Sequence, residues 1–318
     1  MPYYPPQPEQ EPEQQEAKSG KLPGNRIFRA ALLCVCLFLV AYGGIRLAGY
    51  GADLVSSRNT ARELKAAMEE QEAAPRDTET AVPSPAPETE VPALPLSAAE
   101  EPAVSPVLPA VPYPGGLKVV SRIRQLRKKS QYVIGWLAMD DLDEPVALKD
   151  NDFFLDHDAK GSRNYNGSIF MDEDTDLMTR PYTILLYGHN MKSGAMFGNL
   201  KKYEDAAYCQ KHRIFRFDTL YEEGDYAAFA VAEIRLTPGT ARYFGLEELQ
   251  SLNRETRKEA IRKFEILSVH PVIVDVNEED QILLLITCVG DDDERLVLAA
   301  RRLRDSETKD RVTLKTAK

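Results

Sequence analysis

Proline divides this chain into two unequal parts. Of its 21 prolines, 17 lie before residue 117, and only Pro145, Pro181, Pro238 and Pro271 lie after it. Each proline removes a backbone donor and fixes φ, so a segment dense in them sustains neither a helix interior nor a central strand. The folded part is therefore expected at 117–318, one domain of about 200 residues, large enough for a substantial core. A net charge of −10 argues against a nucleic-acid binder, whose footprint would be a basic face. Two of the four cysteines, Cys34 and Cys36, sit in an apolar run, leaving Cys209 and Cys288 for the domain. That spacing makes neither a disulfide framework nor a metal-binding knuckle, so no metal and no cofactor are expected.

Residues 1–26 are polar and rich in Pro, Gln and Glu, and are read as a disordered cytoplasmic tail. From Ala30 to Ile45 the chain carries no charge. Arg29 and Arg46 can snorkel at the ends, extending the apolar segment to 27–50 and toward the roughly 20 residues a bilayer helix needs. Nothing nearby could fold around it as a core helix, and no clear small-x-small cleavage site marks it as a signal peptide. Lys18, Lys21, Arg26 and Arg29 precede the run, while Arg46 and Asp53 follow it. The positive-inside rule then places the N-terminus in the cytoplasm and the rest outside a cell membrane. Residues 51–116 read as a polar helical stalk followed by a spacer rich in Pro and Glu.

From residue 117 the pattern becomes globular. Lys118 to Gln131 spaces Val119, Val120, Ile123 and Leu126 among basic residues, as an amphipathic opening helix would. Short apolar runs follow as strand candidates at 132–139, 145–148, 152–155, 167–171, 182–187, 213–217, 226–236, 272–276, 281–287 and 295–299. Helices are expected at 194–205 and 246–266. Many strands with few intervening helices indicate a mainly β barrel or sandwich with helical insertions, not a βαβ array.

Two of these strands end in reactive residues. Tyr182–Tyr187 runs into Gly188-His189-Asn190-Met191, and Gln281–Thr287 runs into Cys288, with Arg295 seven residues later. Loops at strand ends are where a rigid scaffold presents chemistry. A thiol, an imidazole and a guanidinium can act as nucleophile, acid/base and oxyanion stabiliser. Spacing alone equally fits a turn histidine, a buried small residue and a surface arginine paired with the acidic run Asp291 to Glu294. That run reads as a solvated loop, or alternatively as an attractor for an amine. His157, His212, His270 and Cys209 match no pattern and read as structural.

The same segments carry a family resemblance. Ile184 to Met191, Met196-Phe197, Leu285-Ile286-Thr287-Cys288 and Arg295 to Arg301 resemble the sortases, cysteine transpeptidases of Gram-positive cell surfaces. Val133-Ile134-Gly135-Trp136-Leu137 and Gly167 to Asp172 are similar to class B. The likeness spans about residues 117–303. Leu142 to Val146 departs from the Ile-Asp-Tyr-Pro pattern common in the family.

The resemblance implies an eight-stranded sortase β-barrel with N-terminal and inserted helices. It implies that Cys288 attacks the threonine carbonyl of a C-terminal sorting signal on a secreted protein, with His189 as acid/base and Arg295 at the oxyanion. Thr287 is expected to line the substrate groove. The acyl acceptor would be an amine of a peptidoglycan precursor or a pilin lysine. The alternatives are a cysteine peptidase that hydrolyses the same signal, or a non-catalytic surface assembly module.

Overall fold

The computed structural model describes residues 24–72, 106–271, 274–290 and 293–315. The tail before residue 24 and most of the spacer, 73–105, lie outside the described residues. The chain divides into two compact units, with the boundary between Tyr50 and Gly51 in sequence. Helix α1 (Gly24–Glu72) contributes to both. In the first unit it holds a segment of mean hydropathy 2.1, long and apolar enough to cross a membrane by length and composition.

In the second unit eight strands close into a barrel: β1 (Val133–Met139), β2 (Leu142–Ala147), β3 (Ile169–Met171), β4 (Thr183–Tyr187), β5 (Ile214–Thr219), β6 (Asp225–Arg235), β7 (Ile282–Cys288) and β8 (Glu294–Arg302). Their order around the barrel is β1-β2-β3-β4-β7-β8-β6-β5. The β2–β3 and β4–β7 pairs are parallel and the other pairs antiparallel. β4 and β7 are buried along nearly their whole length. That explains their unbroken apolar runs, since a strand covered on both faces does not alternate.

Among the described residues four further helices decorate the barrel: α2 (Ser121–Lys129), α3 (Ala206–His212), α4 (Glu247–Gln250) and α5 (Arg254–Leu267). The span 246–266 is thus two helices rather than one. The break falls at 251–253, where the Asn253 side chain accepts from Thr256 N and caps α5. Residues 152–155 form a 3₁₀ turn, not a strand, because the Asp150 carboxylate accepts from the backbone N–H groups of Asp152 and Phe153. Residues 194–199 are loop, with positive φ at Gly194 and Met196, and only Leu200–Glu204 coils, as 3₁₀. Val272 and Ile273 lie outside the described residues, and Val274 makes an isolated bridge to Leu314 rather than a strand.

Residues 51–72, read as a stalk, belong to the same compact unit as the barrel. Ser57, Thr60, Ala61, Leu64 and Met68 are buried along one face of α1. Leu64 and Met68 pack with Ile123 and Leu126 of α2 and with Val133 and Trp136 of β1. Polar bonds complete this face. Ser57 donates to Asn164 at 3.1 Å, Thr60 to Asp158 at 3.2 Å and Lys160 to Glu63 at 2.5 Å, and Lys65 pairs with Asp143. Residues 106–116 also pack: Leu108 and Tyr113 are buried, and Leu108 N donates to Leu252 O at 2.8 Å.

Candidate active site

Strand register builds this site. β4 and β7 run parallel with Tyr187 beside Ile286, so both chains leave the barrel at the same end. β8 returns antiparallel and sets Arg295 directly across from Cys288. The loop bearing His189, the thiol of Cys288 and the guanidinium of Arg295 are therefore delivered to one rim. Cys288 is exposed while the six β7 residues before it are buried.

Hydrogen bonds stitch the two loops together. Gly188 N donates to Ile286 O at 3.2 Å, continuing the ladder past the strand end. The Thr287 hydroxyl donates to Gly188 O at 2.7 Å, and the Asn190 side-chain amide donates to Cys288 O at 3.0 Å. Thr287 is only 2% exposed, so the structure places it beneath the rim. Gly188 rests on Phe197: a Cβ there would sit 2.9 Å from the ring. Phe197 N in turn donates to His189 O at 3.0 Å.

The imidazole of His189 is held from the other side, with Nε2 2.7 Å from Leu155 O. A carbonyl only accepts, so Nε2 carries the hydrogen in this contact. Tyr187 donates its hydroxyl to Asp172 at 3.2 Å, and burial followed by the Asp172 charge pushes the phenol well above its usual range. Arg295 is half-buried and donates to Glu294 O at 2.9 Å.

An exposed thiol on the same rim as a histidine-bearing loop and an arginine is an arrangement that suits acyl transfer through a thioester. Residues 141–303 match the sortase domain family. The chain belongs to the sortase family, class B. It is 31% identical over 174 residues to sortase B of Listeria monocytogenes, covering 54% of this chain and 68% of that one. With sortase B of Staphylococcus aureus it shares 25% over 193 residues, 58% of this chain and 76% of that one. A Bacillus anthracis protein described as similar to sortase B superposes with a TM-score of 0.51 at 31% identity, covering 61% of this chain and 88% of that one. A S. aureus sortase B–substrate complex superposes at 0.52 with 25% identity, covering 59% and 88%.

Sortases are cysteine transpeptidases, and this sortase is accordingly an enzyme of that class. The other cysteine of the barrel unit is unsuited to nucleophilic attack. Cys209 is buried, and burial pushes its thiol up to about 11. The remaining histidines are tied elsewhere. His157 lies 2.9 Å from Phe153 O, His212 3.1 Å from Asp140, and His270 2.8 Å from Tyr203 O. The sequence alone gives no role to Asn190 or to the Leu155 carbonyl. Asn190 stands in a segment that resembles the family, but nothing in one sequence says that its amide reaches the Cys288 carbonyl. A carbonyl acceptor leaves no side-chain signature at all.

Proposed function

We propose that this sortase cleaves a threonine-containing C-terminal sorting signal of secreted proteins and transfers the acyl group to an amine. The Cys288 thiol gives its proton to His189, its Sγ attacks the threonine carbonyl carbon, and the oxyanion that forms is held by Arg295. The scissile C–N bond then breaks, and His189 gives a proton to the departing amine, leaving a thioester on Cys288. A second amine attacks the thioester and yields its proton to His189, and the Cys288 thiolate departs. The acceptor amine belongs to a peptidoglycan precursor or a pilin lysine. Thr287 serves this site by fixing the Gly188 carbonyl beneath the His189 loop. What supports the assignment above all is the register that delivers His189, Cys288 and Arg295 to one rim.

The apolar part of α1, residues 27–50, would anchor the enzyme in the cell membrane with its N-terminus inside and the barrel outside. Both substrate classes are found on that side. Hydrolysis is the competing outcome, because the exposure of Cys288 leaves a thioester open to water. An acceptor assay separates the two. Full-length enzyme is incubated with an Asn-Pro-x-Thr peptide, with and without a triglycine amine. The expected product is the amide, whereas free acid alone would establish a peptidase.

A further inference from the structure

The turn between Cys288 and Arg295 is tied down by residues that the mechanism does not use. Gly290 enters it at φ +69, and a Cβ there would collide with the Glu294 carboxylate. Val289 N donates to Glu294 O at 3.1 Å, the same carbonyl that accepts from the Arg295 guanidinium. The side chains of Asp293 and Glu294 point back to β6. Arg235 Nη1 lies 3.3 Å from Asp293 Oδ2, and Nη2 lies 2.5 Å from Glu294 Oε1. Asp293 Oδ1 also accepts from Thr237 N at 2.8 Å and from Thr237 Oγ1 at 2.7 Å. Leu236 N donates to Asp293 O at 3.2 Å.

Arg235 is itself fixed. It is the last residue of β6, paired with Glu294 across the ladder. Its N–H donates to Arg242 O and its carbonyl accepts from Phe244 N, both at 3.0 Å. The Thr237 hydroxyl first, and Arg235 after it, hold the Asp293 carboxyl below its ordinary range. Asp293 and Glu294 are thus engaged within the protein, which disfavours using these two carboxylates to attract an amine.

We propose that Arg235 is a positioning residue for acyl transfer: by clamping Asp293 and Glu294 it fixes the turn that sets Arg295 against Cys288. The inference rests on reading Cys288 and Arg295 as the reacting pair. Misplacing an oxyanion donor by about 1 Å costs up to roughly 100-fold in rate. A residue that acts only through Arg295 should lower the chemical step and leave ground-state peptide binding alone.

The test uses full-length enzyme in detergent and an Asn-Pro-x-Thr peptide, with single-turnover acylation followed by mass spectrometry. Arg235→Met is expected to slow acylation roughly 10- to 100-fold with peptide Kd within about twofold, and Arg235→Lys to recover part of the loss. In an Arg295→Lys background the same Arg235→Met change should cost less than about threefold, because the group it positions is already impaired. Unchanged acylation, a loss confined to Kd, or a full loss repeated in the Arg295→Lys background would each overturn the proposal. If Arg235→Met does not fold, Asp293→Asn is measured with the same readouts. Cys288→Ala is run alongside: acylation that survives it refutes the underlying site, whereas its loss with a silent Arg235→Met refutes only the clamp.

Discussion

Arg257 shows how much of the site depends on residues far from it. Its guanidinium is fully buried, and its hydrogen bonds go to uncharged oxygens. It donates to the carbonyls of Glu278, Tyr182 and Asp280 at 2.8, 2.8 and 2.9 Å, to the Thr183 hydroxyl at 2.5 Å and to the Leu249 carbonyl. Burial lowers its pKa to about 10, so it stays charged at neutral pH. These partners stand where β4 and β7 begin, at the end of both strands opposite Gly188 and Cys288. The cage therefore helps fix the parallel register on which the candidate site rests. Arg257→Met removes a buried donor from each of these acceptors, leaving Tyr182 O with Ile282 N and Leu249 O with the Thr183 hydroxyl, and should lower stability by about 3 kcal/mol, measured by urea unfolding. Nothing in the sequence marks this arginine, because its partners are mostly backbone atoms. His189, Cys288 and Arg295 were legible for the opposite reason: each follows or begins an apolar strand and belongs to a recognisable segment.

At the scale of elements, legibility followed burial. β4 and β7 were plain because their burial makes them continuous apolar runs. The docked part of α1 was not, because half of its interface is polar and its Ala, Leu and Met positions look sparse in a charged segment. Spacing at 57, 60, 61, 64 and 68 does follow one helical face, but a polar stalk shows similar counts by chance. Under that face lies a narrow cavity lined by Ser57, Thr60, Ala61, Glu144, Asp158 and Met196. Burial first, and Asp143 after it, push the Glu144 carboxyl up to about 8, against the opposing pull of Arg58. A carboxyl raised above its unfolded value of about 4.3 binds its proton more readily when folded. Stability therefore declines as pH rises from about 4.3, and the cost is complete above about 8. Glu144→Gln should match the parent near pH 4.5 and exceed it by on the order of 1 kcal/mol at pH 9, discounted for partial exposure. Thermal unfolding at the two pH values checks this, and equal gains at both would contradict it.

The barrel unit as a whole is closed by its C-terminal segment. Arg301 is fully buried on β8 and makes a bidentate pair with Glu307 at 2.6 and 2.7 Å. Glu307 also accepts from Arg304 N at 2.8 Å and Thr313 N at 2.7 Å. Burial opposes the charge, but these hydrogen bonds outweigh it and hold the carboxyl well below its usual range. The sign is opposite to that of Glu144: the stabilisation is complete above about pH 4.3 and is lost as pH falls through the depressed folded value. Glu307→Gln should cost about 3 kcal/mol at pH 7, with the deficit shrinking in acid as the parent carboxylate is also protonated. Denaturant midpoints from pH 7 to pH 2 would show the two converging, and a constant offset would exclude this clamp as a source of acid sensitivity.

The proposed chemistry makes Cys288 the acyl carrier, and intact-protein mass spectrometry with a small library of threonine-containing sorting peptides addresses it directly. One peptide class should add the mass of its acyl fragment, release its C-terminal fragment and map to Cys288. Addition of triglycine should then discharge the adduct as an amide, and Cys288→Ala should form none. An adduct on Cys209, or acylation that persists without Cys288, would contradict the account.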